Sequence, residues 1–155
     1  MLDQNFIEAL KILSLRFREN NFIWAVVGST NLALQGLDII PRDIDIITTI
    51  DSLPKIKNIF GEFDVAEMEE KQSATSGSYW RVVLNINNIE IEVLGEKEQG
   101  VYAHRLLAGH KKDILLDDVN IPCLELKSEL QAYQETGRQN KVELIESFLL
   151  SQNNQ

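Results

Sequence analysis

Cysteine is nearly missing from this sequence. Cys123 is the only one in 155 residues, so no internal disulfide can form and no thiol pair is available for zinc. That usage fits a reducing, cytoplasmic compartment. With 3 prolines and 8 glycines, a collagen-like or low-complexity chain is excluded. No apolar run approaches the roughly eighteen residues needed to cross a bilayer. The N-terminal MLDQNFIEALKILSLRFREN breaks up its apolar residues with charges, unlike a signal peptide. The expectation is a cytoplasmic protein without a membrane partner. Basic residues are the minority: 15 Lys and Arg stand against 24 Asp and Glu, a formal net charge of -9. Such a field repels a phosphate polyanion, so nucleic acid is a disfavoured partner.

Hydrophobic residues make up 44% and charged residues 25%, and the length suits a single domain over 1–155 with one ordinary core. Phe6, Leu10, Leu13 and Phe17 recur at helical spacing, predicting an amphipathic N-terminal helix over 4–20. Phe22 to Val27 reads as a buried strand ending at Gly28. Ser29 or Thr30 would cap a helix through Leu34, with Gly36 as its stop. A second strand runs from Asp43 to Thr49. Ser52-Leu53-Pro54 reads as a helix start leading to Phe60 and Gly61. Phe63 to Met68 reads as a strand, and Glu69 to Ser78 as a polar loop. Tyr79 to Ile86 and Ile89 to Leu94 alternate on either side of Asn87-Asn88, a hairpin signature. Ile114 to Leu124 reads as another hairpin, turning near Asp118 to Asn120. Helices over Glu125–Thr136 and Arg138–Leu150, separated by Gly137, complete a C-terminal part spanning 112–150; the tail SQNNQ reads as frayed. The fold class is α+β: a short, mixed, mostly antiparallel sheet with helices packed on it.

The stretch WAVVGSTNLALQGLDIIPRDIDIITT carries the chemistry. Alternate residues of a strand share a face, so Asp43 and Asp45 stand side by side about 7 Å apart, with Ile44 and Ile46 facing the other way. Paired carboxylates repel and are costly to bury unless a cation sits between them. Gly28-Ser29 falls at a strand-to-helix junction, where free N–H groups favour an anion such as phosphate and glycine permits close approach. A lone Asp-x-Asp reads as solvated acids on a half-exposed strand; in this order with Gly-Ser and a helix, the expectation is a phosphate cradle beside a divalent-metal site. A third acid would hold two hard cations in the spacing suited to phosphoryl-type transfer. The run IEIEVLGE offers Glu90 and Glu92, again two apart on one strand face.

Gly-Ser, a helix, Asp-x-Asp on a strand and a later acid on another strand together resemble the DNA polymerase beta-like nucleotidyltransferase superfamily. The likeness is closest to its small stand-alone proteins of bacteria and archaea, which are similar to the abortive-infection toxin and antibiotic-modifying branches. Gly28, Ser29, Asp43 and Asp45 match the motif, and Ile91-Glu92-Val93-Leu94-Gly95 resembles the segment that bears the third acid, favouring Glu92 over Glu90. Many members have Asp there; Glu reaches one carbon further. IPCLELKSELQAYQETGRQNKVELI resembles the family's C-terminal part, so the likeness runs from about Ala25 to Ile145.

The resemblance implies a nucleotidyltransferase fold with a catalytic core over 22–95. It also implies transfer of a nucleoside monophosphate from a nucleoside triphosphate, ATP above others, to a hydroxyl of a small molecule or protein, with release of pyrophosphate. Asp43, Asp45 and Glu92 would ligate two Mg2+ ions, or Mn2+ in their place, and Glu92 would act as general base. Gly28, Ser29 and Arg138 would hold the nucleotide. The alternative is a nucleotide-binding toxin-antitoxin or regulatory module without turnover.

Other residues read as ordinary. Arg42 points away from Asp43. Lys141 and Lys127 read as solvated or ion-paired. His104 and His110 lack zinc spacing. Ser73, Thr75 and Ser76 lack a partnered histidine for hydrolase chemistry. Cys123 reads as buried and inert. Tyr133 and Phe148 fit helix packing, whereas Tyr79 and Trp80 stand where they could border a nucleotide pocket.

Overall fold

Asp3 begins the first helix by accepting the Phe6 N–H at 3.2 Å, and helix α1 (Gln4–Glu19) follows. It buries Phe6, Ala9, Leu10, Leu13 and Phe17 and ends at Glu19, one residue short of the expected boundary, with Asn20 as its C-cap. This computed structural model describes residues 2–73 and 77–153. Beyond α1 the chain forms strand β1 (Trp24–Val27), helix α2 (Gly28–Leu34), strand β2 (Ile44–Thr49) and a 3-10 helix (Ile50–Lys55) running into α3 (Ile56–Ile59). Strands β3 (Glu69–Ser73), β4 (Gly77–Ile86) and β5 (Ile89–Glu96) come next, then helix α4 (Ala103–Leu107). The hairpin β6 (Lys111–Leu116) and β7 (Val119–Leu124) leads to α5 (Leu126–Glu135) and α6 (Gln139–Asn153).

The strands form one seven-stranded sheet in the order β3-β4-β5-β2-β1-β7-β6. β2 with β5 and β1 with β7 are parallel; the other pairings are antiparallel, so the mixed, mostly antiparallel expectation holds. Alternation assigns the two faces. Val26, Ile44, Ile46, Ile91 and Val93 pack on α1 and on Leu53, Ile56 and Phe60. Phe17 anchors that layer, fully buried, with its ring centroid 4.9 Å from Phe22, 4.8 Å from Trp24 and 5.4 Å from Phe60. The opposite face carries Ala25, Val27 and Ile47 against Leu106 of α4. A third cluster, with Leu32, Tyr133, Val142 and Ile145, joins α2, α5 and α6.

The hairpin at Asn87-Asn88 forms as expected, both residues adopting positive φ, 54° and 65°. Several expectations need correcting. Phe63 to Met68 is irregular, tied to the sheet by the Ala66 N–H donating to the Val83 carbonyl at 2.8 Å. The strand lies in the polar stretch beyond it: β3 is an edge, so cross-strand polar pairs replace apolar alternation. Arg81 donates to Glu69 at 2.7 Å and Gln72 to Ser78 at 2.7 Å. Thr75 and Ser76, expected in a loop there, lie outside the described residues. Ser52 caps no α-helix; its hydroxyl pairs with Thr49 Oγ1 at 2.8 Å, and Pro54 sits inside the 3-10 turn. Nor do Ser29 and Thr30 cap α2, which has no side-chain cap. The second hairpin turns at Asp117-Asp118, with Asp117 at φ 55°. The tail expected to fray stays helical through Asn153; Asn154 and Gln155 lie outside the described residues. Among the described residues no helix is long and apolar enough to cross a membrane.

Candidate active site

The site begins where β1 ends. Gly28 takes φ +72°, and a Cβ there would stand 2.9 Å from Asp45 Oδ2. Both facts demand glycine: the left-handed conformation is strained for other residues, and the space belongs to a carboxylate. Pairing places Val27 opposite Asp45 and Asp45 beside Glu92 on parallel β5. Glu92, not Glu90, is therefore the cross-strand neighbour of Asp45. Asp43 precedes β2, half-buried, and its carbonyl accepts the Thr30 hydroxyl at 2.6 Å. That bond ties α2 to the start of the acidic strand.

Asp45 and Glu92 open into a cavity of about 440 Å³ whose walls include Glu96, Tyr102, Tyr133 and Arg138. Burial, then the nearby charges of Asp43, Glu92, Glu129 and Glu90, push the Asp45 carboxyl up to about 7. Burial also raises Glu92, against the opposing pull of Arg81, whose Nη1 lies 3.6 Å from Glu92 Oε2. Asp43 is not among the residues lining the cavity. Among the described residues no three Asp, Glu, His or Cys side chains converge as a ready metal cage.

Of the residues expected to hold nucleotide, Ser29 is met by Lys141, whose Nζ donates to Ser29 Oγ at 3.1 Å. Burial, then the neighbouring charge of Arg138, lowers the Lys141 ammonium. Lys141, read as solvated or ion-paired, is half-buried and held against the Gly28-Ser29 turn by its hydrogen bond to Ser29. Arg138 lines the cavity and stacks its guanidinium 5.6 Å from the Tyr133 ring centroid. Lys127 and Arg42 are exposed. Tyr79 and Ser73 line the cavity, whereas Trp80 packs against the core of the other face. His104 and His110 lie elsewhere, beside Gly100 and Glu125. Cys123 is buried, its thiol pushed up by burial to about 12, which keeps it protonated and inert.

Sequence reasoning missed Glu129. This fully buried residue of α5 accepts the Gly28 N–H at 2.5 Å, the Asn31 amide at 3.1 Å and the Tyr102 hydroxyl at 3.2 Å. Burial pushes its carboxyl up to about 7. The signal was a carboxylate on the apolar stripe of a helix, three residues after Leu126 and four before Tyr133. Glu96, also missed, is a second inward carboxylate: its Oε1 accepts the N–H groups of Tyr102 at 2.7 Å and Ala103 at 2.9 Å.

The family model of aminoglycoside-2''-adenylyltransferase matches residues 9–147. No curated protein matches the chain by sequence. Among solved structures, a candidate nucleotidyltransferase of Thermotoga maritima is 26% identical, with a TM-score of 0.72 over 97% of this chain and 96% of that one. Two more distant structures share the fold. The lincosamide antibiotic adenylyltransferase LnuA, bound to lincomycin, is 13% identical, with a TM-score of 0.58 over 94% of this chain and 98% of that one. An antigenic nucleotidyltransferase-like protein of Paracoccidioides brasiliensis is 11% identical, with a TM-score of 0.57 over 94% and 77%. With the family model matched over residues 9–147, this protein belongs to the aminoglycoside-2''-adenylyltransferase family and is a nucleotidyltransferase.

Proposed function

We propose that this enzyme transfers the AMP unit of ATP to a hydroxyl of a small-molecule acceptor, with Asp43, Asp45 and Glu92 as its reactive acids and divalent metal as its cofactor. The observation that carries this reading is the β2–β5 register, which sets Asp45 and Glu92 side by side at the floor of one cavity. The cavity's size suits a small acceptor better than a protein segment.

The donor set fits magnesium. Carboxylate oxygens are hard ligands, and Mg2+ is commonly held by one or two carboxylates together with substrate phosphates rather than by a complete protein cage. Asp45 gives a second sign of fit: burial first and then the neighbouring acids raise it, and a cation would offset the charge of those acids. Asp43, Asp45 and Glu92 would hold Mg2+, or Mn2+ in its place, and the metal would supply charge neutralisation to the triphosphate.

The rest falls to the chain. Ser29 Oγ and Lys141 Nζ, already paired, are donors to the phosphates, with Arg138 as a further cation at the cavity wall. The acceptor hydroxyl lies between the tyrosine walls and Glu92, where Glu92 takes its proton and Arg81 holds that carboxylate in place. The acceptor oxygen bonds to the α-phosphorus as the bond to the bridging oxygen breaks, and pyrophosphate leaves.

The test is to incubate the protein with α-labelled ATP, Mg2+ and a panel of aminoglycosides and lincosamides. Label moves onto one acceptor with equimolar pyrophosphate release, and Asp45→Asn abolishes it. Full transfer by Asp45→Asn overturns the proposal; label on a polypeptide instead of a panel member overturns the small-molecule acceptor alone.

A further inference from the structure

Glu129 is unlike the other acids of the site. It does not line the cavity; it lies behind it, fully buried, with both oxygens engaged. Oε1 accepts from the Gly28 N–H and the Asn31 side-chain amide, and Oε2 accepts from the Tyr102 hydroxyl. Asn31 also donates to the Leu124 carbonyl at 2.9 Å. One carboxylate therefore fastens α5, the β1–α2 turn and a tyrosine of the cavity wall to one another. Its consequence for the turn is specific. Gly28 sits in a left-handed conformation that points its N–H inward at Glu129 and leaves Ser29 facing Lys141.

We propose that Glu129 is a positioning residue for the nucleotide's phosphates: it claims the Gly28 N–H, so that the turn presents the Ser29 hydroxyl, paired with Lys141, as the phosphate grip. This deepens the reading of the site as a nucleotide site and rests on it. The role is one of reach, not charge. A carboxylate so close to bound phosphates is electrostatically unfavourable, so the geometry it enforces must be what it contributes.

Two substitutions separate reach from charge. Glu129→Gln keeps Oε1 for Gly28 and Asn31, while its new amide donates to the Tyr102 oxygen. Glu129→Asp keeps the charge but withdraws the oxygens by about 1.5 Å, one carbon–carbon bond, beyond hydrogen-bonding distance of Gly28. Affinities for ATP, inorganic tripolyphosphate and adenosine are measured by NMR titration. The expected result is that Glu129→Asp weakens ATP and tripolyphosphate alike, by about fivefold or more, and leaves adenosine unchanged. Glu129→Gln binds both phosphate ligands as tightly as wild type or more tightly. Equal affinities in Glu129→Asp and wild type, a loss in Glu129→Gln as large as in Glu129→Asp, or a parallel loss of adenosine binding overturns the proposal and leaves the nucleotide site standing. Wild-type protein that binds neither ATP nor tripolyphosphate overturns both.

Should Glu129→Asp fail to fold, the Gly28 amide proton carries the test in wild type and Glu129→Gln. It should lie downfield in wild type, move upfield in Glu129→Gln, and stay in place when tripolyphosphate is added to wild type while the Ser29 amide shifts. A Gly28 amide that responds to tripolyphosphate as strongly as Ser29 overturns the proposal.

Discussion

Replacing Gly28 by alanine isolates the geometry on which the site depends. The substitution adds one methyl group and two separable penalties. At φ +72° an L-residue costs about 1–2 kcal/mol relative to its ordinary conformations. The new Cβ would also stand 2.9 Å from Asp45 Oδ2, so either the carboxylate or the turn must move. Gly109→Ala is the control: it has the same kind of backbone, φ +82°, with nothing within 4 Å of the added carbon. Both variants should melt lower, by about 2–8 °C for a chain of this size. Only Gly28→Ala displaces Asp45, the acid proposed to react, and a displacement approaching 1 Å costs about a hundredfold in rate. The expected loss in AMP transfer, measured by initial rates of label incorporation, is about 10- to 100-fold for Gly28→Ala and less than about twofold for Gly109→Ala. If Gly28→Ala melts like the control and transfers at the wild-type rate, Asp45 is not held by the close approach of this turn.

The raised acids make stability depend on pH in an unusual direction. Asp45 stands at about 7 against an ordinary 3.8, and Glu129 at about 7 against 4.5. Each folded value lies above the unfolded one, so between about 4 and 7 the native state holds more protons and stability falls as pH rises. Below the unfolded values the penalty is absent; above 7 it is complete, on the order of 4 kcal/mol for Asp45. Denaturant titrations of the metal-free protein should show that decline, Asp45→Asn should flatten it, and a stability that rises steadily from pH 4 to 8 would contradict the assignment. Mg2+ should stabilise wild type most above pH 7 and Asp45→Asn much less, which a thermal-shift titration would check. Phe17→Ala, emptying the centre of the aromatic cluster, should cost about 3–5 kcal/mol in a denaturant melt; a loss below about 1 kcal/mol would mean that α1 and the sheet close over the gap.

How much of this was legible beforehand follows from where each residue gets its meaning. Gly28, Ser29 and Asp45 sit in one short stretch, and the antiparallel β1–β2 pairing sets the turn against Asp45; Asp43, expected on the same strand, precedes it. The choice of Glu92 over Glu90 needed the resemblance, because two acids on one strand face are indistinguishable until a register is known; the pairing of Asp45 with Glu92 supplies it. Strand β3 escaped because the usual sign of a strand is a buried face, and an edge strand has little to bury. Its five residues are all exposed or half-buried, and its order comes from pairs such as Arg81 with Glu69. Helix α4, in a stretch without clear periodicity, escaped for a similar reason: it has five residues, too few for a helical period to repeat.

Glu129 and Lys141 were hidden for a different reason, and it bears on how the site is built. Each acts on a residue about a hundred positions away, Glu129 on Gly28 and Lys141 on Ser29. Read locally, one is an acid and the other a base on the surface helices of an acidic protein. In the fold, α5 and α6 pack through Tyr133, Val142 and Ile145 against Leu32 of α2, and that apolar contact delivers both side chains to one turn. The acid takes the glycine's backbone and the base takes the serine's hydroxyl, so the burial that stabilises the helical layer would also set the proposed phosphate grip. Loosening that layer with Ile145→Ala should therefore weaken tripolyphosphate binding although Ile145 touches no ligand. Weaker ATP binding with unchanged tripolyphosphate affinity, read in the same NMR titration, would show that the helices serve the base and not the phosphates.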